Sequence, residues 1–158
     1  MTEPAQTPDA MWAAYCAATG TPVEAAHEVD AFGASPDELV ALVLDGTKRA
    51  TASLLAEYTG PEGAAPLVAP GHLWLVTDEA GNARCIVQTT EVRVGPMNTV
   101  DEQFAYDEGE GDRTLEYWTR VHSSYFRARC AHLRIPWAKA IMVVFERFEL
   151  VWPRPEAS

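Results

Sequence analysis

A lysine, an arginine and two hydroxyl side chains lie close together in residues 46–55, GTKRATASLL. Lys48 follows the glycine that ends a predicted helix, and Thr51 and Ser53 lie on the strand predicted after it. A lysine in a cleft can hold a phosphate oxygen, or act as a base beside the positive charge of Arg49. Thr51 can act as a nucleophile only with a base within hydrogen-bond distance. Positions three apart on a flat strand point to opposite faces, so Lys48 can serve Thr51 only if the chain bends between them.

A glycine-broken acidic segment, DEGEGD at residues 107–112, supplies carboxylates. Glu108 and Glu110 are candidates for a general acid or base, or for oxygen ligands of a divalent cation such as Mg²⁺ or Mn²⁺. No cofactor or metal ligand set follows with certainty from the sequence. The alternative interpretation is a solvated acidic loop. Gly109 and Gly111 would let the backbone approach a ligand closely.

The helix predicted after this segment places Trp118, His122, Tyr125 and Phe126 on one face. His122 is a candidate proton carrier, because the unperturbed pKa of histidine lies near neutrality. Trp118 or Tyr125 could stack on a nucleic-acid base. The alternative is a buried stripe that contains a hydrogen-bonded histidine.

A further carboxylate, Glu91, follows two threonines in a run that predicts a barrel strand. A carboxylate that lines a barrel must be paired or functional. Arg147 on the last strand is one candidate partner, and a structural ion pair and a catalytic role are the two alternatives for Glu91. The expected phosphate contacts, if the protein has any, are arginines on or just after the long helix: Arg120, Arg127, Arg129 and Arg134.

Strands and helices are interleaved along the chain. Hydrophobic periodicity, capping residues and turn residues predict helices over 9–19, from 36 to about 45, over about 100–106 and over about 113–130. They predict strands over 50–55, 73–77, 83–94 and 141–152, with 73–94 forming a hairpin. The expected helix caps are Asp9, Ser35, Thr99 and Asp112, with capping boxes at Ser35/Glu38 and Thr99/Glu102. This pattern predicts an α+β fold, a small and mostly antiparallel β-barrel surrounded by helices.

Length and composition predict a single domain over 9–152, with loose ends at 1–8 and 153–158. Of the 158 residues, 47% are hydrophobic and 22% charged, and no apolar run approaches the roughly 20 residues of a membrane span. Three widely spaced cysteines argue against a disulfide framework or a zinc site, so we expect a cytoplasmic location. The net charge of −11 argues against a surface that grips polyanions, although the chain after residue 118 is basic. No protein partner is evident.

Four segments together resemble the ASCH family (activating signal cointegrator homology domains), in its bacterial single-domain branch. They are GTKRATASLL, EGEGDRTLEYWTRVHSSYF, the pair QTTEVRV and FERFELVW, and the stretch AFGASPDEL. The resemblance covers residues 31–152. It implies a fold similar to the PUA RNA-binding barrel, with a cleft between the lysine segment and the helix after the acidic loop.

The resemblance also implies action on RNA or its building blocks. Some relatives look like small ribonucleases, in which a hydroxyl on the long helix matters, here Ser123 or Ser124. Others hydrolyse N4-acetylcytidine with a lysine, a threonine and a glutamate, which correspond to Lys48, Thr51 and either Glu108 or Glu110. A ribonuclease-like hydrolase or binder of single-stranded RNA is our first expectation. The alternatives are an N4-acetylcytidine amidohydrolase and a non-catalytic RNA-binding module. Two departures from the family pattern are His72 before the LWLVT strand and the polar pair after His122.

Overall fold

Five strands form one curled sheet, a half-barrel, in the computed structural model of the chain, which describes residues 5–59 and 67–154. The strands are β1 (Glu28–Ala31), β2 (Ala50–Leu54), β3 (Leu73–Thr77), β4 (Ala83–Pro96) and β5 (Met142–Trp152). The helices are α1 (Pro8–Thr19), α2 (Pro36–Leu44), α3 (Ala56–Thr59), α4 (Glu102–Glu108) and α5 (Leu115–Leu133). A 3₁₀ turn, Met97–Thr99, connects β4 to α4.

The strand order is β1-β3-β4-β5-β2. The β1–β3 pair is parallel and the other pairs are antiparallel, so the predicted α+β, mostly antiparallel architecture is confirmed. The predicted hairpin is also confirmed, because β3 and β4 pair antiparallel across the turn at 78–82. The register places Thr51 of β2 directly opposite Glu146 of β5.

Helices cover the sheet with separate clusters of apolar side chains. The cluster under α4 and α5 contains Phe104, Trp118, Phe126 and Phe145. Helix α1 packs its own cluster on β3 and β4, and α2 packs a third that includes Phe148. Helices α1 and α2 are therefore held on the sheet by burial of one apolar face, as their periodicity indicates.

Three of the four predicted helix caps were wrong, and Ser35 does stand at the N-cap position of α2. Thr7, Asp101 and Thr114 accept the capping bonds from Ala10, Phe104 and Tyr117, where the sequence predicted Asp9, Thr99 and Asp112. A cap must directly precede the helix with extended backbone, and several suitable residues stand within two positions of each start. Asp112 instead accepts bonds from the backbone and hydroxyl of Thr114, the true cap. Ser35 has φ 44° and makes no side-chain capping bond, so that capping box does not form either.

The sequence missed two short elements, β1 and α3. Burial across β1 is low, which leaves little periodicity to detect. The predicted loose ends fall partly on residues 1–4 and 155–158, outside the described residues, and the domain boundaries remain a prediction. Within residues 5–59 and 67–154, no helix has both the length and the apolar character of a membrane-spanning segment.

Candidate active site

The lysine segment is held between α2 and α4 by backbone hydrogen bonds. Gly46, with φ 87°, turns the chain after α2, and the N–H groups of Thr47 and Lys48 both donate to the Leu42 carbonyl at 3.0 Å. Arg49 N–H then donates to the Asp107 carbonyl at 2.7 Å. These bonds join the end of α2 to the end of α4, so Lys48 is fixed against the acidic segment.

The ammonium of Lys48 is buried among acceptors, with the residue 1% exposed. Its Nζ donates to the carbonyl of Ala50 at 2.8 Å and to Oε2 of Glu110 at 2.9 Å. Glu108 offers its carbonyl at 3.3 Å and Oε1 at 3.4 Å. Three N–H donors therefore have four acceptors, and no donor remains free for a ligand while Glu110 stays in place. The resemblance implied a cleft between the lysine segment and the helix after the acidic segment, and in the structure Lys48 contacts Glu108 and Glu110 directly.

Glu108 lies beneath the ammonium and is 1% exposed. Its Oε2 accepts from the indole N–H of Trp118 and lies 3.1 Å from Nε2 of His122. Burial by itself would raise the pKa of this carboxyl. The positive charges of His122 and Lys48, with hydrogen bonds from His122 and Trp118, outweigh burial and lower the pKa to about 2. Glu108 is therefore a permanent carboxylate at neutral pH.

Both ring nitrogens of His122 face acceptors, since Nδ1 lies 2.9 Å from the Trp118 carbonyl and Nε2 faces Glu108. An imidazolium satisfies both contacts, because each nitrogen then carries a proton. Burial lowers the pKa of His122, but the charge and hydrogen bond of Glu108 outweigh it and the pKa is raised. Trp118 stacks on this ring at a centroid distance of 4.0 Å and is 2% exposed, so it packs against His122 from the core side.

Gly109 makes the turn that brings Glu110 back to Lys48. It ends α4 with φ 73°, and a Cβ there would lie 2.6 Å from the Thr47 carbonyl oxygen. Only glycine fits both the left-handed backbone and this close approach. Arg113 secures the same turn by donating to the carbonyls of Tyr106 at 2.9 Å and Thr47 at 3.4 Å. Arg113 is a site residue that was not predicted from the sequence.

Two adjoining cavities open beside this cluster. The smaller, about 90 Å³, has Glu108, Glu110, His122 and Thr51 in its wall. The larger, about 160 Å³, contains Thr51, Ser53, Tyr58, His72 and Glu146. Their shared wall consists of Phe32, Gly33, Thr51, Ala52 and Tyr125. The structure therefore brings Thr51 and Tyr125 to both cavities, and Ser53 to the larger one.

Other predicted residues lie apart from this pocket. Arg49 pairs with Asp107 at 3.6 Å, and Glu91 contacts Arg147 at 3.3 Å as expected. Arg147 also donates to Asp107, which joins these residues into an outer charged cluster. Among the described residues that line the two cavities, Ser123 and Ser124 do not appear.

The arginines proposed as phosphate contacts have protein neighbours of their own. Arg129 forms a two-point ion pair with Glu57, at 2.7 and 3.1 Å. Arg120 and Arg127 lie over the rings of Tyr117 and Trp137. Arg134 takes the left-handed position that ends α5.

Ligand atoms of Glu108, Glu110 and His122 lie within 4.8 Å of one another, a spacing that a divalent cation could use. The carboxylates are suitable oxygen ligands, but the Lys48 ammonium already bonds to both of them. A cation would also require His122 to lose the proton that faces Glu108. The donor set therefore fits the buried ammonium better than a metal.

A curled half-barrel with a buried Lys–Glu–His cluster beside an open cavity defines a small α+β domain with a candidate site. The model of the ASCH domain matches residues 28–152, and the chain belongs to this family. It is similar to the ASCH domain from Lactobacillus crispatus JV V101, with 31% identity, a TM-score of 0.79, and coverage of 89% of this chain and 91% of that one. Protein EF3133 from Enterococcus faecalis V583 is 29% identical, with a TM-score of 0.80 over 89% of this chain and 85% of that one. No curated protein matches the chain.

Proposed function

We propose that this ASCH protein hydrolyses an acyl amide on a pyrimidine nucleoside, with N4-acetylcytidine as the substrate to test. The observation that carries the proposal is that Glu110 and Thr51 line one cavity, and that the buried Lys48 ammonium contacts Glu110 from behind the cavity wall. An ammonium held in a water-poor site can stabilise the negative charge that develops on an amide oxygen during attack. Cavities of about 90 and 160 Å³ suit part of a small molecule better than a strand.

The pocket residues supply each step of such a reaction. The Thr51 hydroxyl attacks the acetyl carbon while the Glu110 carboxylate takes its proton. The carbonyl oxygen becomes an oxyanion, for which Lys48 can turn a donor away from Glu110 once that carboxylate is protonated. The C–N bond then breaks, the cytidine nitrogen takes the proton from Glu110, and acetate leaves after water hydrolyses the threonine ester. Glu108 touches no reacting atom in this scheme and acts as the residue that positions Lys48 and His122.

Charge around the pocket favours this reaction over our first expectation, RNA cleavage. Lys48 is buried and saturated with acceptors, and the smaller cavity has two carboxylates in its wall. A phosphate diester would meet repulsion there before it met the ammonium. Cleavage or binding of single-stranded RNA remains a prediction, and steep weakening of binding with salt would support it.

The test is incubation of the protein with N4-acetylcytidine and chromatographic measurement of cytidine and acetate. We expect Thr51→Val to lower kcat/KM by about 100-fold or more and Thr51→Ser to retain most activity, because only serine keeps the hydroxyl. Glu116→Gln, which changes an exposed carboxylate at the start of α5, is the matched control for Glu110→Gln. Absence of cytidine at high enzyme concentration would overturn the proposal.

A further inference from the structure

A second buried glutamate, Glu146, faces the larger cavity and has only one hydrogen-bond partner. It is 6% exposed, and its Oε2 accepts from the Thr89 hydroxyl at 2.7 Å. Within residues 5–59 and 67–154, no other hydrogen bond and no ion pair reaches this side chain. Buried polar groups are normally hydrogen-bonded. A ligand in the cavity can supply the hydrogen-bond partner that the second oxygen of Glu146 lacks.

The other charged groups of the larger cavity are already paired. His72 lies 3.3 Å from Glu28, and Arg129 lies 2.7 Å from Glu57. Glu146 is thus the carboxyl that no adjacent cation neutralises among the described residues of this wall. Hydroxyl groups of Ser53 and Tyr58, 3.1 Å apart, complete its polar surroundings. Among the described residues of its wall, the cavity consequently offers hydrogen-bonding groups and no unpaired cation for a phosphate.

The chemistry of a buried carboxyl indicates what such a ligand must carry. Burial raises the pKa of Glu146 despite the hydrogen bond from Thr89 and the charges of His72 and Lys48. When it is protonated, the acid presents one O–H donor beside one acceptor. A heterocycle with a ring nitrogen next to an amino group presents the complementary acceptor and donor along one edge.

We propose that Glu146 recognises the base of the ligand by bonding to a ring nitrogen and the adjacent exocyclic amino group, as in a cytosine. This inference rests on the proposed function. It assigns recognition of the base to Glu146 of β5, the residue paired with Thr51 of β2. Since Thr51 lines both cavities, a ring held by Glu146 directs its amino substituent toward the Thr51 side. Acidic neighbours make the site selective for the base and not for a phosphate.

The experiment compares the binding of cytidine and N4,N4-dimethylcytidine by titration calorimetry. The dimethyl compound lacks the N–H donor, so the wild-type protein should bind it about tenfold more weakly or worse. Glu146→Leu should bind cytidine about tenfold more weakly and no longer distinguish the two compounds. Glu146→Gln, which keeps a donor and an acceptor, should still distinguish them. Glu149→Leu, at an exposed position of the same strand, is the matched control and should behave as wild type.

The outcomes separate this inference from the proposed function. Cytidine binding that depends on Glu146, without hydrolysis of N4-acetylcytidine, supports the inference and sinks the proposed function. Hydrolysis with an unchanged KM in Glu146→Leu supports the function and overturns the inference. Equal wild-type affinity for the two nucleosides, or no cytidine binding at millimolar concentration, also overturns it. The wild-type comparison decides the matter even if Glu146→Leu does not fold.

Discussion

Glu108 and Glu146 are both buried, yet their surroundings differ in every respect that matters to a carboxyl group. Glu108 contacts Lys48, His122 and Trp118, and its pKa falls to about 2. Glu146 has one hydroxyl partner, and its pKa is raised. The carboxylate of Glu108 is therefore charged, and both of its oxygens have protein partners. Glu146 has one oxygen left to bond to a ligand. Burial alone says little about the role of a charged residue, and its partners decide that role.

The largest effect should come from breaking the Glu108 cluster with Lys48→Met. Removing the ammonium leaves two carboxylates short of a partner, and breaking a buried ion pair costs about 3–5 kcal/mol. Urea unfolding should show this loss, together with loss of amide hydrolysis. Lys139→Met is the matched control, because Lys139 is the other lysine of the chain and is exposed. Equal stability of the two variants would show that the ammonium does not hold the cluster together.

The stability contributed by the Glu108 cluster should depend on pH through Glu108 and His122. Glu108 has its pKa lowered from 4.5 to about 2, so its stabilisation is present above pH 4.5 and is lost as the pH falls toward 2. His122 has its pKa raised from 6.5, so its stabilisation is complete below pH 6.5 and is lost as the pH rises through the raised value. The cluster is therefore most stabilising between pH 4.5 and 6.5.

Thermal unfolding of wild type and His122→Gln across pH 5–9 measures this dependence. The variant should lose most stability relative to wild type near pH 5.5, and the difference should shrink as the pH rises through the raised pKa of His122. A chain of this size shifts its Tm by about 2–4 °C per kcal/mol, so the change is measurable. A constant difference between the two proteins from pH 5 to 9 would contradict a protonated His122.

The smallest effect should come from Glu146→Gln, and it should have the opposite sign. Because burial disfavours the carboxylate, a neutral amide should raise stability at pH 7 by about 1 kcal/mol while accepting the same bond from Thr89. The gain should disappear at acid pH, where Glu146 is itself neutral. Calorimetric melting at pH 7 and pH 4 checks both parts, and a loss of stability at pH 7 would mean that Glu146 is stabilised as a carboxylate.

Local sequence patterns were enough for most elements and for one half of the pocket. The glycines beside Glu108 and Glu110 indicated a close backbone approach, which is a local property of the chain. The expectation that this segment and Lys48 border one cleft came from the resemblance to the ASCH family. The burial of Lys48 could not be foreseen, since one acceptor, Ala50, is local but the others, Glu108 and Glu110, lie about 60 residues further along the chain.

Glu146 was missed for a different physical reason. Its orientation depends on how β5 pairs with both β2 and β4, and the β4–β5 register shifts between Thr89 and Glu91. The alternation in FERFEL fits a carboxylate on either face until that register is known. Sequence alone gave Glu91 the role of barrel-lining carboxylate, whereas its side chain is 64% exposed and pairs with Arg147.

The central claim is that Thr51 and Glu110 act together in one active centre with Lys48. A double-mutant cycle of Thr51→Ala and Glu110→Gln, measured as kcat/KM for N4-acetylcytidine hydrolysis, tests this claim most directly. We predict that each substitution lowers the rate by about 100-fold or more, and that the double variant is no slower than the slower single variant, because the two groups serve one step. Losses that multiply in the double variant, or a wild-type protein that releases no cytidine, would contradict the account.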